Sequence, residues 1–440
     1  MTFRLGCIVL GLSFAPTLAC GADPTPRATD TPVAGDTSVG GDTSVGGDTS
    51  VGGDTSVVGD ATVAGDATVV SDTTVVSDTA VVSDTTAIGD TTVAADTADA
   101  SIDVGPIDVG PDASAGGEWL EVRGNHITFA DGTRFHGRGA NLHDERSCNA
   151  CSFAPRDPDG LNRWADELID HWHANFIRFL LSAKSAPYNE WEQQWQSLVD
   201  DADYLADVAA NVAHMSQKPG VYILVTLFSD PTMKPENGDY DSEWPSSAGD
   251  SNTRYRLLAE TFADNPRVLF GLTNEPHTTR DHAPELATRY VDAIAAIRAV
   301  EDQHGTPHHI IVVQAPEGWS RDLAYFVEHP LAGDNIAYEI HPYNPESDFA
   351  HLVTEPSKTL PMIIGEYGPA YMDDDDIRAL WALAEDLEIP YLAWNFHMRC
   401  PPNLLEDTAP DGCGLSASTG YDFPRTDWGD LLFEHLQTPW

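Results

Sequence analysis

Cationic side chains are scarce in this 440-residue chain: 23 Lys and Arg stand against 70 Asp and Glu, a formal charge of −47. Such a field repels phosphate backbones and anionic lipid headgroups, which argues against a nucleic-acid or membrane-surface partner. Uncharged partners, such as neutral polysaccharides, escape that repulsion. Other scarcities are local. Residues 1–116 hold no Trp, Tyr or Glu; their only aromatics are Phe3 and Phe14, and their 17 Asp face only Arg4 and Arg27. A segment so poor in large apolar groups cannot bury enough surface to offset its chain entropy. All 11 Trp and 13 Tyr lie in residues 117–440, so the packed core lies there, with the remaining −32 of charge. No Gly-rich phosphate turn follows an early strand, and no paired-His motif of the metalloprotease kind occurs.

The opening "MTFRLGCIVLGLSFAPTLAC" has one cationic residue, an apolar run from Leu5 to Ala15 and then small residues. That run is too short for a membrane span and reads as an export signal over residues 1–20. Its end, Thr17-Leu18-Ala19-Cys20, loosely matches a lipoprotein cleavage box with Thr17 in the place usually taken by an aliphatic residue. A lipid anchor at Cys20 and free secretion both stay open, so the expected location is outside the cell or on its outer surface.

From Asp36 to Asp96 an aspartate recurs every six residues, in units such as "GDTSVG" and "VVSDTT". A hexad period can build a β-helix. With one or two Val per unit and no Leu or aromatic, a low-complexity spacer is favoured instead. Residues 21–116 are therefore expected to be a long disordered acidic repeat, closed by a stiffer stretch at Pro106 and Pro111. Residues 117–440 carry Cys148, Cys151, Cys400 and Cys413. Export favours two disulfides, with three pairings open, over a zinc site at "CNAC".

From residue 118 the pattern changes. "WLEVRGNHITFADGTRF" alternates in period two around "GN" and "DG" turns, which predicts a short N-terminal β-hairpin. Eight strand candidates follow: "FHGRGANLH", "NFIRFLLS", "VYILVTLF", "RVLFGLTNEP", "HIIVVQAP", "IAYEIHPY", "PMIIGEYG" and "YLAWNFH". Helical stretches such as "DGLNRWADELIDHWH", "PELATRYVDAIAAIRAV" and "DDDIRALWALAEDLE" separate them. Strict alternation of this kind predicts an α/β fold, a (β/α)8 TIM barrel over residues 117–440. A doubly wound open sheet is the runner-up.

In such barrels the reactive groups stand at the carboxyl ends of the strands. Those ends carry Asn141 and His143 on the first strand, Arg178 on the second, and Asn274 and Glu275 on the fourth. The sixth carries His341 and Tyr343, the seventh Glu366 and the eighth Trp394. Polar groups on otherwise apolar strands are costly unless they satisfy one another, and here all emerge at one face. Two of them are glutamates, the equipment of glycoside hydrolysis: one carboxyl protonates the leaving oxygen while the other attacks the sugar or activates water. Arg178 can hold a neighbouring carboxylate ionised, which would make that partner the nucleophile.

"GLTNEPH" and "IIGEYG", with "IRF", "IHPY" and "AWNF" in that order, resemble glycoside hydrolase family 5, the cellulase family, over residues 117–440. The resemblance implies Glu275 as acid/base, Asn274 on the sugar 2-hydroxyl, and Glu366 as nucleophile held by Arg178 and Tyr343. It implies His341 supporting the acid/base side and Trp394 stacking beneath the sugar. A retaining endo-β-1,4-glycanase acting on a cellulose-like polysaccharide follows, with β-mannanase next. A non-catalytic carbohydrate-binding surface protein is the alternative of another class. No cofactor or metal is implied, and a monomer is expected. The family usually has a His at the end of the third strand, where this chain has Phe228, Ser229 and Asp230.

Trp191, Trp195, Trp244, Trp319 and Trp428 are candidates for extending the cleft by stacking. "HWH" at 171–173 reads as a helix end. "DDDD" at 373–376 reads as a helix N-terminus favoured by the macrodipole.

Overall fold

The computed structural model describes residues 118–144, 147, 157–182, 198–199, 201–228, 251–276, 280–408 and 422–440. The expected export signal, the acidic repeat, Cys148, Cys151, Cys413, Trp191, Trp195, Trp244, Ser229 and Asp230 lie outside the described residues.

The hairpin forms where the turn residues predict it. Strands β1 (Leu120–Arg123) and β2 (His126–Phe129) pair antiparallel around Gly124, whose φ of 65° suits glycine. Eight strands then follow in the predicted order: β3 (Arg138–His143), β4 (Phe176–Ser182), β5 (Tyr222–Phe228) and β6 (Val268–Leu272), then β7 (Ile311–Gln314), β8 (Ile336–Ile340), β9 (Met362–Ile364) and β10 (Tyr391–Ala393). Each pairs parallel with the next, and β10 pairs back onto β3, closing the barrel. The open-sheet alternative is thereby excluded.

Helices α1 (Pro158–Asp166), α2 (Ala202–Ser216), α3 (Ser251–Phe262) and α4 (Ala283–His304) cover the outside of the first half. Their ends carry the expected chemistry. The Asp157 and Asp201 side chains cap the first two, and α4 ends at Gly305 with φ 72°. A π turn over Glu167–His171 continues α1 and stops at the buried Trp172, so "HWH" does end a helix. Alternation is weaker after β7 and β8. Only α5 (Ala324–Glu328) follows β7, and a π turn leading into α6 (Glu355–Ser357) follows β8. Pro330 follows the end of α5, whereas Pro356 lies in the first turn of α6, where proline is tolerated. Regular helices return with α7 (Asp374–Asp386) and α8 (Asp427–Leu436). The four-aspartate run starts α7, with Asp373 and Asp376 forming a capping box. Among the described residues no helix is long and apolar enough to cross a membrane.

Two apolar clusters organise the packing. The larger lies between strands and helices. The smaller fills the barrel's lower interior: Phe176, Tyr222, Leu224, Leu269, Val312 and their neighbours meet Leu120, Ile127 and Phe135 of the hairpin region. Phe135 sits edge-on to Phe176 (5.3 Å) and Tyr222 (4.9 Å) and is 2% exposed. Burying a side chain of that size is worth about 1.5–3 kcal/mol. The hairpin thus seals the amino-terminal end, and the carboxyl ends of the strands remain for chemistry.

Candidate active site

Inward-facing positions alternate along each strand. They are apolar low in the barrel and become polar toward the carboxyl ends, with Asn141 and His143 on β3, Arg178 on β4, Gln314 on β7, and Glu339 and His341 on and after β8. All of these are buried. Such a layer is tolerable only where its members satisfy each other.

Arg178 is its hub. Nη1 donates to Glu366 Oε1 (2.9 Å) and Asn141 Oδ1 (2.8 Å), and Nη2 donates to Asn274 Oδ1 (2.6 Å). Nε stands 2.8 Å from Glu339 Oε1, a contact of opposite charges without hydrogen-bond alignment. Asn141 is a strut: its Nδ2 donates to the carbonyls of Gly365 (2.9 Å) and Ala393 (3.1 Å), tying β3 to the chain after β9 and to β10.

Glu275 owes its aim to an unusual backbone. Past Leu272 the chain leaves strand geometry, with φ of 60° at Thr273 and 44° at Glu275. Left-handed values are rare for non-glycine residues and cluster where function requires them. The Glu275 N–H donates to Gln314 Oε1 (2.5 Å), and its Oε1 meets His341 Nδ1 at 2.8 Å. Among the described residues no hydrogen-bond partner reaches its Oε2.

Glu366 follows Gly365, whose N–H bonds the Ile340 carbonyl at 2.9 Å. Its Oε1 accepts from Arg178 and its Oε2 from the Tyr343 hydroxyl (3.1 Å). Oxygens of Glu275 and Glu366 and a nitrogen of His341 all lie within 4.8 Å of one another. Ninety residues of chain therefore separate two carboxyl groups that meet over one ring.

The charges balance closely. Both His341 nitrogens face carboxylates, Nδ1 toward Glu275 and Nε2 toward Glu339 (2.9 Å). Ionised carboxylates only accept, so a ring that faces two of them carries both protons. Burial opposes that charge, but Glu366, Glu275 and Glu339 overcome it and raise His341 to about 9. Burial also opposes ionisation of Glu339, yet Arg178 and His341 hold its carboxyl below the usual range. Burial pushes Glu366 up to about 7; Glu275 adds to this, while His341 and Arg178 oppose it. Two cations thus face three carboxyl groups, and one further proton on the Glu275–Glu366 pair neutralises the cluster.

The remaining expected residues line the same end. His143 Nδ1 meets Ser147 Oγ at 2.8 Å, and its ring stands edge-on to Trp394 (5.3 Å). Trp394 is 1% exposed, with Nε1 donating to the Cys400 carbonyl (3.1 Å) and one face toward Phe228 (6.3 Å). It is a wall of the site rather than an open platform. Phe228 thus takes up apolar space beside Trp394 where the family usually places a His. The Trp394–Asn395 peptide is cis. Trp428 does not extend the cleft: it is buried, stacks on Trp381 and donates to the Trp394 carbonyl (2.8 Å). Trp319 is half-buried on the loop after β7.

Gln314, Ser320 and Glu339 are not among the expected residues, although Gln314 ends β7; Ser320 and Glu339 do not stand at strand ends. Gln314 Nε2 donates to Glu339 Oε1 (3.1 Å), and the Ser320 hydroxyl donates to Gln314 Oε1 (2.8 Å). The available signal was "YEIH", a Glu and a His two apart and hence on one face of a strand. Gly365 makes room beside them, since a Cβ there would lie 2.0 Å from Glu339 Oε1.

Comparison with known proteins agrees with this layout. The family model for cellulase, glycosyl hydrolase family 5, matches residues 158–399. Endoglucanase A of Butyrivibrio fibrisolvens is 24% identical over 270 residues, 58% of this chain and 53% of that one. The chain thus spans about half the length of that curated relative. Among solved structures, the cellulase Cel5C_n superposes with a TM-score of 0.57 at 18% identity, covering 75% of this chain and 95% of its own. The catalytic domain of Thermobifida fusca endoglucanase Cel5A gives 0.53 at 18% identity, covering 72% and 97%. At such identities the structural likeness speaks for the fold.

Proposed function

The chain belongs to the cellulase family, glycosyl hydrolase family 5, and is a glycoside hydrolase; on that premise we propose that it is a retaining endo-β-1,4-glycanase acting on a cellulose-like polysaccharide. The observation that carries this is the approach of Glu275 and Glu366 oxygens to within 4.8 Å, with His341 between them. Retaining enzymes hold their two carboxyl groups about 5–5.5 Å apart, whereas inverting ones leave room for a water.

The donors support a division of roles. Both Glu366 oxygens accept, from Arg178 and Tyr343, which favours the carboxylate and a nucleophile. Glu275, whose Oε2 has no hydrogen-bond partner among the described residues, is on this reading the acid that faces the leaving oxygen. In the first step Glu366 attacks the anomeric carbon while Glu275 protonates the departing glycosidic oxygen. In the second, Glu275 takes a proton from water, whose oxygen displaces Glu366 from the sugar. Asn274, held by Arg178, is placed to meet the 2-hydroxyl, and Trp394 with His143 walls the ring. On the same reading residues 1–20 export the enzyme, with a lipid anchor at Cys20 and free secretion both open, and the acidic segment 21–116 serves as a spacer before residues 117–440.

Reducing-sugar release from carboxymethylcellulose, mannan and xylan tests the proposal. Carboxymethylcellulose should be cleaved fastest; Glu366→Gly should abolish turnover, and azide should partly restore it with inverted stereochemistry. Preference for mannan would make the enzyme a mannanase, and unchanged turnover in the Gly variant would remove Glu366 from the mechanism.

A further inference from the structure

Beneath the reacting pair lies a third carboxylate that the two-glutamate scheme does not use. Glu339 is fully buried on β8, two residues before His341 and on the same face. A carboxylate in a barrel interior is costly unless its partners are close and fixed. Its contacts converge on a single oxygen: Arg178 Nε at 2.8 Å, His341 Nε2 at 2.9 Å and Gln314 Nε2 at 3.1 Å from Oε1. Oε2 has no hydrogen-bond partner among the described residues.

We propose that Glu339 is a positioning residue for the reaction: its Oε1, seated between Arg178 and His341, fixes the guanidinium and keeps the imidazole a doubly protonated cation, and so determines how Glu275 and Glu366 share their proton. Two consequences of the geometry support this. With Nε occupied by Glu339, the Arg178 fork presents Nη1 to Glu366 and Nη2 to Asn274, the edges that hold the nucleophile and the sugar-facing amide. With Nε2–H on Glu339 and the ring doubly protonated, His341 donates Nδ1–H to Glu275 Oε1, which leaves Oε2 for the leaving group.

The charged and titratable groups facing the His341 ring are Glu275 from the end of β6, Glu339 from β8, and Glu366 from the end of β9 at 3.6 Å. Arg178 and Tyr343 stand behind these carboxylates. A neutral side chain at 339 would leave the imidazolium, among the described residues, with the reacting pair as its counter-charges, and a proton would leave the ring more readily.

The kinetic arm of the test rests on Glu275 and Glu366 being the reacting pair; the titration arm does not. Histidine nitrogens are followed by NMR against pH in the folded protein, with His341→Asn identifying the resonance among the 16 His. In the parent protein the His341 ring should keep both N–H protons well above neutral pH, and a neutral ring at pH 7 would overturn the proposal. Glu339→Gln should move that titration down by more than one pH unit. It should also lower kcat on the order of 10²-fold, as expected of a small misplacement of reacting groups, with KM changed less than about threefold. Glu339→Asp, which keeps the charge, should restore part of kcat and the imidazolium. If Glu339→Gln leaves the titration, pH profile and kcat unchanged, Glu339 is only a structural tie and the proposal fails. If that variant does not fold, the parent titration still decides. If the parent cleaves no glycan, the hydrolase reading fails while the His341 titration continues to test Glu339.

Discussion

Replacing Tyr343 by Phe removes one oxygen atom, the hydroxyl 3.1 Å from Glu366 Oε2. The ring is 3% exposed and its space would be refilled by Phe, so the perturbation is close to a deleted hydrogen bond. That hydroxyl is a donor at every working pH, because burial and the Glu366 charge push the phenol well above its usual range. A hydrogen bond to a charged group contributes about 1.5–3 kcal/mol. At about 1.4 kcal/mol per tenfold, kcat/KM should fall roughly 10- to 150-fold if the bond serves the ionised nucleophile. Among the described residues Arg178 Nη1 would remain the only hydrogen-bond donor to Glu366, at 2.9 Å on Oε1. The proton would then be held more tightly than the present value of about 7 implies. Both limbs of the kcat/KM profile should therefore move to higher pH. Initial rates on a soluble cello-oligosaccharide across pH give both numbers. Thermal unfolding of Tyr343→Phe, Glu366→Gln and the double variant closes a cycle, with an expected coupling of about 0.5–3 kcal/mol. A variant within twofold of the parent, with an unmoved profile, would refute the assignment of Tyr343 to the nucleophile.

Glu275→Gln should cost about 10²- to 10⁴-fold on polysaccharide. It should cost far less in the first step on aryl glycosides with acidic leaving groups, where a glycosyl adduct on Glu366 should accumulate and be seen by mass spectrometry. Stability should fall as pH rises. The folded values of Glu366 and His341 lie at about 7 and about 9, above their ordinary 4.5 and 6.5. Their joint contribution is therefore complete below 4.5 and is lost as pH rises through 7 and 9; a melting temperature that rises from pH 6 to pH 10 would contradict this. Phe135→Ala should destabilise by about 3–5 kcal/mol in denaturant titration while leaving kcat of the folded fraction intact, since the hairpin seals the end opposite the site.

The barrel was legible in the sequence because its strands are apolar on both faces, and eight such runs between helical stretches leave few closed solutions. Most of the nine expected site residues were legible because they are polar groups on otherwise apolar strands; Arg178 lies third of seven residues in β4 rather than at its carboxyl end, and only its long side chain brings it to Glu366 and Asn274. What escaped lay one step deeper. Glu339 sits inside "IAYEI" rather than at its end, and its partners Arg178 and Gln314 come from β4 and β7, which no local pattern joins to it. The left-handed turn at Thr273 and Glu275 was hidden because Thr is a strand former, and only tertiary packing holds it at φ 60°. Trp428 misled for the opposite reason: large aromatics suit sugar faces and cores equally, and burial against Trp381 decides for the core.

The absence of a side chain at position 365 constrains how this family member can change. A methyl there would overlap the side chain of residue 339, with Oε1 at 2.0 Å and Cγ and Cδ at 2.5 Å. Mutational paths through these two sites are ordered: the acid must shrink before the glycine can grow, and a chain that has filled position 365 cannot regain the acid by one substitution. Relatives that carry a bulkier residue at the equivalent of 365 should therefore lack the buried acid and tether their arginine in some other way.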